Sequence, residues 1–211
     1  MLARHGAHYR PSAPLDVRWL AGGWSSHLEF PDPRGRRVRC DFVTRAPRLG
    51  REEIAALFAR SEGGLDVVGV EPLIRMKQTQ RAKDYAAIGE LARLLPPERE
   101  LELTTDPDRV LTLAPDFGTG SRRPCVRAAL AGGGRDAVVV ALAREADRLQ
   151  QEDRNRLQRY ERAAADYLQA ARRLKLAALD LPAAHARLCE LAEELLPRVP
   201  PGAGDGDADA E

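Results

Sequence analysis

The sequence predicts an α+β fold. A small antiparallel or mixed sheet with helices is expected over residues 1–95. A helical C-terminal domain with a long helical hairpin follows over 96–199, then a disordered acidic tail over 200–211. Three observations carry this reading. Two-residue alternation of apolar and polar side chains is confined to residues 15–43, where it marks strands. Helical spacing takes over from residue 51 onward. With 44% hydrophobic residues the chain has enough for a core, and 31% charged with only 5% aromatic residues points to a helix-rich protein.

The strands come first. Leu15-Asp16-Val17-Arg18-Trp19 alternates and reads as β. After Gly22-Gly23, Trp24, Ser26, Leu28 and Phe30 fall on one face, with Ser25, His27 and Glu29 on the other. Pro31-Asp32-Pro33-Arg34-Gly35 has turn composition. Beyond it Val38, Cys40 and Phe42 share a face, and Arg39 and Asp41 take the opposite one. A hairpin pairing Phe30 with Val38 and Leu28 with Cys40 joins the apolar faces. The same register sets Glu29 beside Arg39 and His27 beside Asp41.

Ile54, Leu57 and Phe58 predict a helix over 51–60. A short strand at 65–70 and helices at about 72–78 and 83–95 follow, with Pro96-Pro97 as a stop. Asp106-Pro107 is an N-cap with proline in the first helical position. Ser121 is expected to cap a helix ending at Gly132–Gly134. A long helical pattern then runs from Asp136 to about Ala178. Its seam, from Ala146 through Leu149, Leu157, Tyr160, Ala164, Tyr167 and Ala171, is interrupted by Asp153. Asp180 with Pro182 opens a last helix whose stripe is Leu181, His185, Leu188, Ala192 and Leu195, so His185 reads as a core histidine. These two helices are expected to form an antiparallel hairpin.

The totals exclude several function classes. Net charge is +1, from 33 basic and 32 acidic residues, so bulk charge gives no argument for nucleic acid or membrane binding. Cys40, Cys125 and Cys189 are widely spaced, with no CxxC pair, which fits a reducing cytoplasm. No apolar run reaches the ~20 residues of a membrane-spanning helix, and MLARHGAHYR has no apolar signal core. A cytoplasmic location is expected. Gly23-Trp24-Ser25-Ser26-His27 misses the GxSxG pattern in its last position. His5, His8, His27 and His185 show no metal-ligand spacing. Arg122-Arg123 and Arg172-Arg173 read as solvated helix charge.

The most distinctive stretch is residues 66–94, DVVGVEPLIRMKQTQRAKDYAAIGELARL. An apolar run ending at Val70 leads into Glu71-Pro72, then Leu73, Ile74, Met76 and Lys77, and a second helix opens around Lys83-Asp84. This resembles the segment that closes the fold in bacterial nucleotidyltransferase-like proteins, including the abortive-infection toxin type. Lys77, Arg81, Lys83, Asp84 and Ile88 are the matching residues, and the resemblance covers about residues 15–95.

That resemblance implies Mg²⁺-dependent transfer of a nucleotidyl group from a nucleoside triphosphate to a protein, RNA or small-molecule hydroxyl, and a toxin-like role. It implies a Gly-Ser phosphate loop, paired aspartates on one strand and a third aspartate on a later strand. Two divalent ions held by these carboxylates activate the attacking oxygen and stabilise the leaving pyrophosphate. Asp41 sits where the third aspartate falls. It is then a catalytic metal ligand with His27 or Glu29 beside it, or else a polar residue of an exposed face paired with His27 or Arg45. Asp16 matches the second aspartate of the early pair only if Pro14 replaces the first. In the preferred alignment the early pair falls in a segment this chain lacks. Lys77, Lys83 and Arg81 are the candidate triphosphate contacts, and the lysines read equally as solvated residues beside an Asp84 cap. The set is incomplete, so weak or absent transfer is expected. A second hypothesis is a non-catalytic binding or regulatory module that recruits a protein partner through the hairpin of residues 136–197. Expected partners are thus a nucleotide or a protein and no membrane, with nucleic acid left open.

Overall fold

A computed structural model describes residues 2–59 and 67–200. The fold is mixed α+β. Its strands are β1 (His8–Tyr9), β2 (Ser26–Pro31) and β3 (Arg37–Phe42), and its first helix is α1 (Val17–Leu20). The remaining helices are α2 (Arg51–Ala59), α3 (Val70–Lys77), α4 (Ala82–Ala92), α5 (Pro97–Leu103), α6 (Pro107–Phe117), α7 (Pro124–Leu130), α8 (Gly134–Ala163), α9 (Ala165–Arg173) and α10 (Leu181–Leu195). Contacts divide the chain into two compact units, Met1–Arg45 with Leu157–Glu211, and Ala46–Arg156. The divisions fall after Arg45 and, inside α8, after Arg156.

In the first unit the sheet is antiparallel in the order β1-β2-β3. The β2–β3 register pairs His27 with Asp41, Leu28 with Cys40, Glu29 with Arg39 and Phe30 with Val38, as the alternation predicts. Asp32 closes the turn by accepting from the Arg34 and Arg36 amides, both at 2.8 Å. Trp24 and Leu28 are buried, whereas Phe30, Val38, Cys40 and Phe42 are only half-buried. The sheet packs on α9 and α10 through Tyr9, Leu28, Tyr167, Ala171, Ala184, Leu188 and Ala192.

Two readings need correction here. Residues 15–19 are not a strand. Asp16 caps α1 by accepting from the Arg18 amide, and the chain coils so that Trp19 is fully buried while Val17 stays exposed. An alternation of five residues is too short to separate a strand from a single helical turn. The long helix expected over 136–178 is also interrupted, at Ala164 between α8 and α9. It ends where Lys175 turns left-handed, at φ 47°.

In the second unit, α3 and α4 pack around Ile74, Ile88 and Ala92. Helices α5–α8 enclose Leu101, Val110, Cys125, Val126 and Val138. Asp106 caps α6 as expected, accepting from the Asp108 amide at 2.9 Å. Asp84 does not cap α4. Arg81 holds the cap position, and Asp84 sits inside the first turn, paired with Arg81 at 2.8 Å. Residues 67–69 are not a strand, and Val70 opens α3; the rest of the strand expected at 65–70 lies outside the described residues. The tail segment 201–211 lies outside them too. Ser121 caps no helix, since α7 starts at Pro124. Arg123 is not solvated charge. It donates to the Leu101 and Thr104 carbonyls and pairs with Glu145 at 2.7 Å. Asp153, the odd residue of the α8 seam, is buried and accepts from the Gln80 amide at 2.9 Å and from Arg156. Among the described residues no helix is long and apolar enough to cross a membrane.

Candidate functional site

The polar face of the hairpin carries His27, Glu29, Arg39 and Asp41, because residues two apart along a strand share a face. Neighbouring β1 adds His8, opposite Glu29, and the chain continues to Arg10. His27 Nδ1 lies 3.3 Å from Asp41 Oδ1, and Ser25 Oγ lies 2.7 Å from His27 Nε2. Burial holds the His27 imidazole below its ordinary pKa, opposed by the Asp41 carboxylate and reinforced by Arg10. The ring is therefore biased toward its neutral form.

Glu29 answers to a different set of partners. His8 lies 3.2 Å away, and Arg10, Arg39 and Arg37 approach to 3.9, 3.9 and 4.0 Å. Arg10 also reaches Asp41 at 4.0 Å. A guanidinium thus stands between the two carboxylates that the sequence nominates as metal ligands. It supplies the neutralisation that a divalent ion would otherwise bring.

The remaining nominated residues belong to other elements. Asp16 is in the first unit, at the N-cap of α1, with both carboxylate oxygens taking 2.9 Å hydrogen bonds from Arg18. These bonds lower its pKa to about 2. Lys77, Arg81 and Lys83 belong to the second unit, at the end of α3 and the start of α4. Lys77 is half-buried and Lys83 exposed.

Sequence reasoning missed a second cluster. Asp16, His185 and Cys189 bring one donor atom each to within 4.8 Å of one another, the only such trio of potential metal donors among the described residues. His185 and Cys189 are four apart on α10 and so share a helix face. That spacing is legible in the sequence, but the apolar stripe of α10 reads His185 as a core residue. Its ring instead meets the Tyr9 hydroxyl, with Nδ1 at 2.9 Å, and Cys189 Sγ lies 3.6 Å from Nε2. Burial, and then the Asp16 charge, push the Cys189 thiol above its usual pKa.

Beside β1 an open cleft of about 360 Å³ is lined by His8, Arg10, Glu29, Arg172, Lys175 and Leu176, among others. Among the described residues neither Arg172 nor Lys175 has an ion-pair partner. No family model, curated protein or solved structure matches this chain.

Proposed function

We propose that the protein is a non-catalytic binding module that holds a small phosphate-bearing anion, of the nucleotide class implied by the sequence resemblance, in the cleft beside β1. The observation that carries this reading is the charge of that cleft. Arg10, Arg172 and Lys175 line it against the single carboxylate of Glu29, with the His8 ring beside them. Its size is in the range of small-molecule sites, ~300–1,000 Å³. Lys175 is held left-handed at the cleft edge, a conformation that costs a non-glycine residue roughly 1–2 kcal/mol and is concentrated at ligand sites.

The test is calorimetric titration of the full chain with each nucleoside triphosphate and with inorganic phosphate, with and without Mg²⁺. Binding at one equivalent is expected, weakened at least several-fold in Arg172→Gln and Lys175→Gln and indifferent to Mg²⁺. No heat with any of these anions, or binding untouched by both substitutions, sinks the reading.

Nucleotidyl transfer is the second reading, favoured by the 3.3 Å approach of His27 to Asp41. Against it stands Arg10 between Asp41 and Glu29. Transfer needs at least two carboxylates sharing metal beside the triphosphate. Labelled triphosphate incorporated into RNA or protein, and abolished by Asp41→Ala, would establish transfer in place of simple binding.

A further inference from the structure

We propose that Asp16, His185 and Cys189 form a three-ligand site for a borderline divalent transition metal of the zinc class, with a fourth coordination position open to solvent. The donor set argues for this class of ion. A thiolate, an imidazole and a carboxylate together suit Zn²⁺ or Co²⁺, whereas Mg²⁺ and Ca²⁺ take oxygen.

The geometry fits. Tetrahedral zinc with Zn–S of about 2.3 Å and Zn–N of about 2.0 Å separates the two donor atoms by roughly 3.5 Å. The observed separation of His185 Nε2 and Cys189 Sγ is 3.6 Å. All three residues are half-buried, so an ion can reach them, and three protein ligands with an open fourth position is the pattern of zinc sites that bind a further molecule.

The surroundings of His185 support the assignment. A ligating histidine holds its second ring nitrogen against an outer partner, which fixes the ring. Here that partner is the buried Tyr9 hydroxyl, 2.9 Å from Nδ1. With the metal on Nε2 the ring carries its proton on Nδ1 and donates to the Tyr9 oxygen. That oxygen also accepts from the Leu15 amide at 3.1 Å. The phenolic hydrogen must then turn elsewhere, and the buried Ser26 hydroxyl beside Tyr9 is the oxygen placed to accept it. On binding, the S–metal bond forms as the Cys189 thiol gives its proton to solvent. Arg18 competes, because it occupies both Asp16 oxygens.

Co²⁺ titration of the full chain under reducing conditions tests the site. One equivalent should produce a thiolate-to-cobalt charge-transfer band in the near ultraviolet with visible d–d bands of tetrahedral intensity, and Zn²⁺ should abolish both. Cys189→Ser should lose the charge-transfer band and Asp16→Asn should bind at least ten-fold more weakly. Circular dichroism would establish that both variants stay folded. Arg18→Gln, which frees the carboxylate, should bind several-fold more tightly. The proposal is overturned by the absence of a charge-transfer band at millimolar Co²⁺, or by a band that survives Cys189→Ser and so belongs to Cys40 or Cys125. Affinity unmoved by both Asp16→Asn and Arg18→Gln would also overturn the three-ligand assignment.

Discussion

His27 makes the sheet face sensitive to acid. Its folded pKa is lowered from 6.5, first by burial and against the pull of Asp41. A folded pKa below the unfolded one means that the unfolded chain binds more protons as acid is added. The contribution of the neutral ring is therefore fully present above pH 6.5 and is lost as pH falls through the folded pKa. Urea midpoints measured from pH 8 to 5 should fall across that window, and His27→Gln should flatten the decline. An unchanged slope in the variant would assign the acid sensitivity to other groups. The hairpin part of this site was legible in the sequence, because both strands alternate and a register that joins their apolar faces must also join His27 to Asp41. What the pattern did not contain was Arg10, which comes from the loop after a two-residue strand too short to leave a period. The Asp16–His185–Cys189 cluster was half-legible, since the four-residue spacing is local, but Asp16 is more than 160 positions away.

At the scale of elements, the turn after α1 shows why some of the fold lies beyond reading by pattern. Gly22 and Gly23 look like an ordinary turn. The first has no room for a side chain, since a Cβ there would come within 1.8 Å of the Arg198 carbonyl oxygen. The second sits at φ +99°, which a side chain tolerates poorly. The chain must pass close because Trp24 donates its indole N–H to the Pro197 carbonyl at 2.7 Å. The Arg18 and Arg198 guanidiniums lie 4.6 and 4.5 Å from the Trp19 ring centroid. Gly22→Ala should force the 197–198 backbone away and release the Trp24–Pro197 hydrogen bond and the Arg198–Trp19 contact. A loss of about 1–3 kcal/mol is expected, the usual cost of overpacking, read as a lower thermal midpoint with altered near-ultraviolet dichroism from tryptophan. A variant as stable as the parent would show that the terminal segment does not hold this turn. Helix starts, by contrast, are legible at Asp106-Pro107 and at Asp180 with Pro182, where the aspartate accepts from first-turn amides. Capping is decided within four residues, so the sequence window contains the whole cause.

At the scale of the molecule, each unit has its own core and its own reporters. The first unit draws Ala7, Tyr9 and Leu28 from the start of the chain, and Ala184, Leu188 and Ala192 from α10. No alternation within one segment announces such a partnership. The second unit closes on Leu101, Val110, Cys125, Val126 and Val138, all between residues 46 and 156. Both tryptophans, Trp19 and Trp24, are buried in the first unit, whereas Cys125 is fully buried in the second. Burial raises the Cys125 thiol to about 12, so it stays unreactive while its unit is folded. Leu188→Ala removes a fully buried side chain from the first core and should cost about 2–5 kcal/mol. The tryptophan fluorescence midpoint in urea should drop accordingly. Labelling of Cys125 by a thiol reagent, with Cys40 and Cys189 replaced by serine, should keep its parental protection, because none of the second core's buried residues comes from α10. Cys125 becoming reactive in step with the fluorescence change would mean that the two cores melt as one and that the cores' separate composition does not govern their stability.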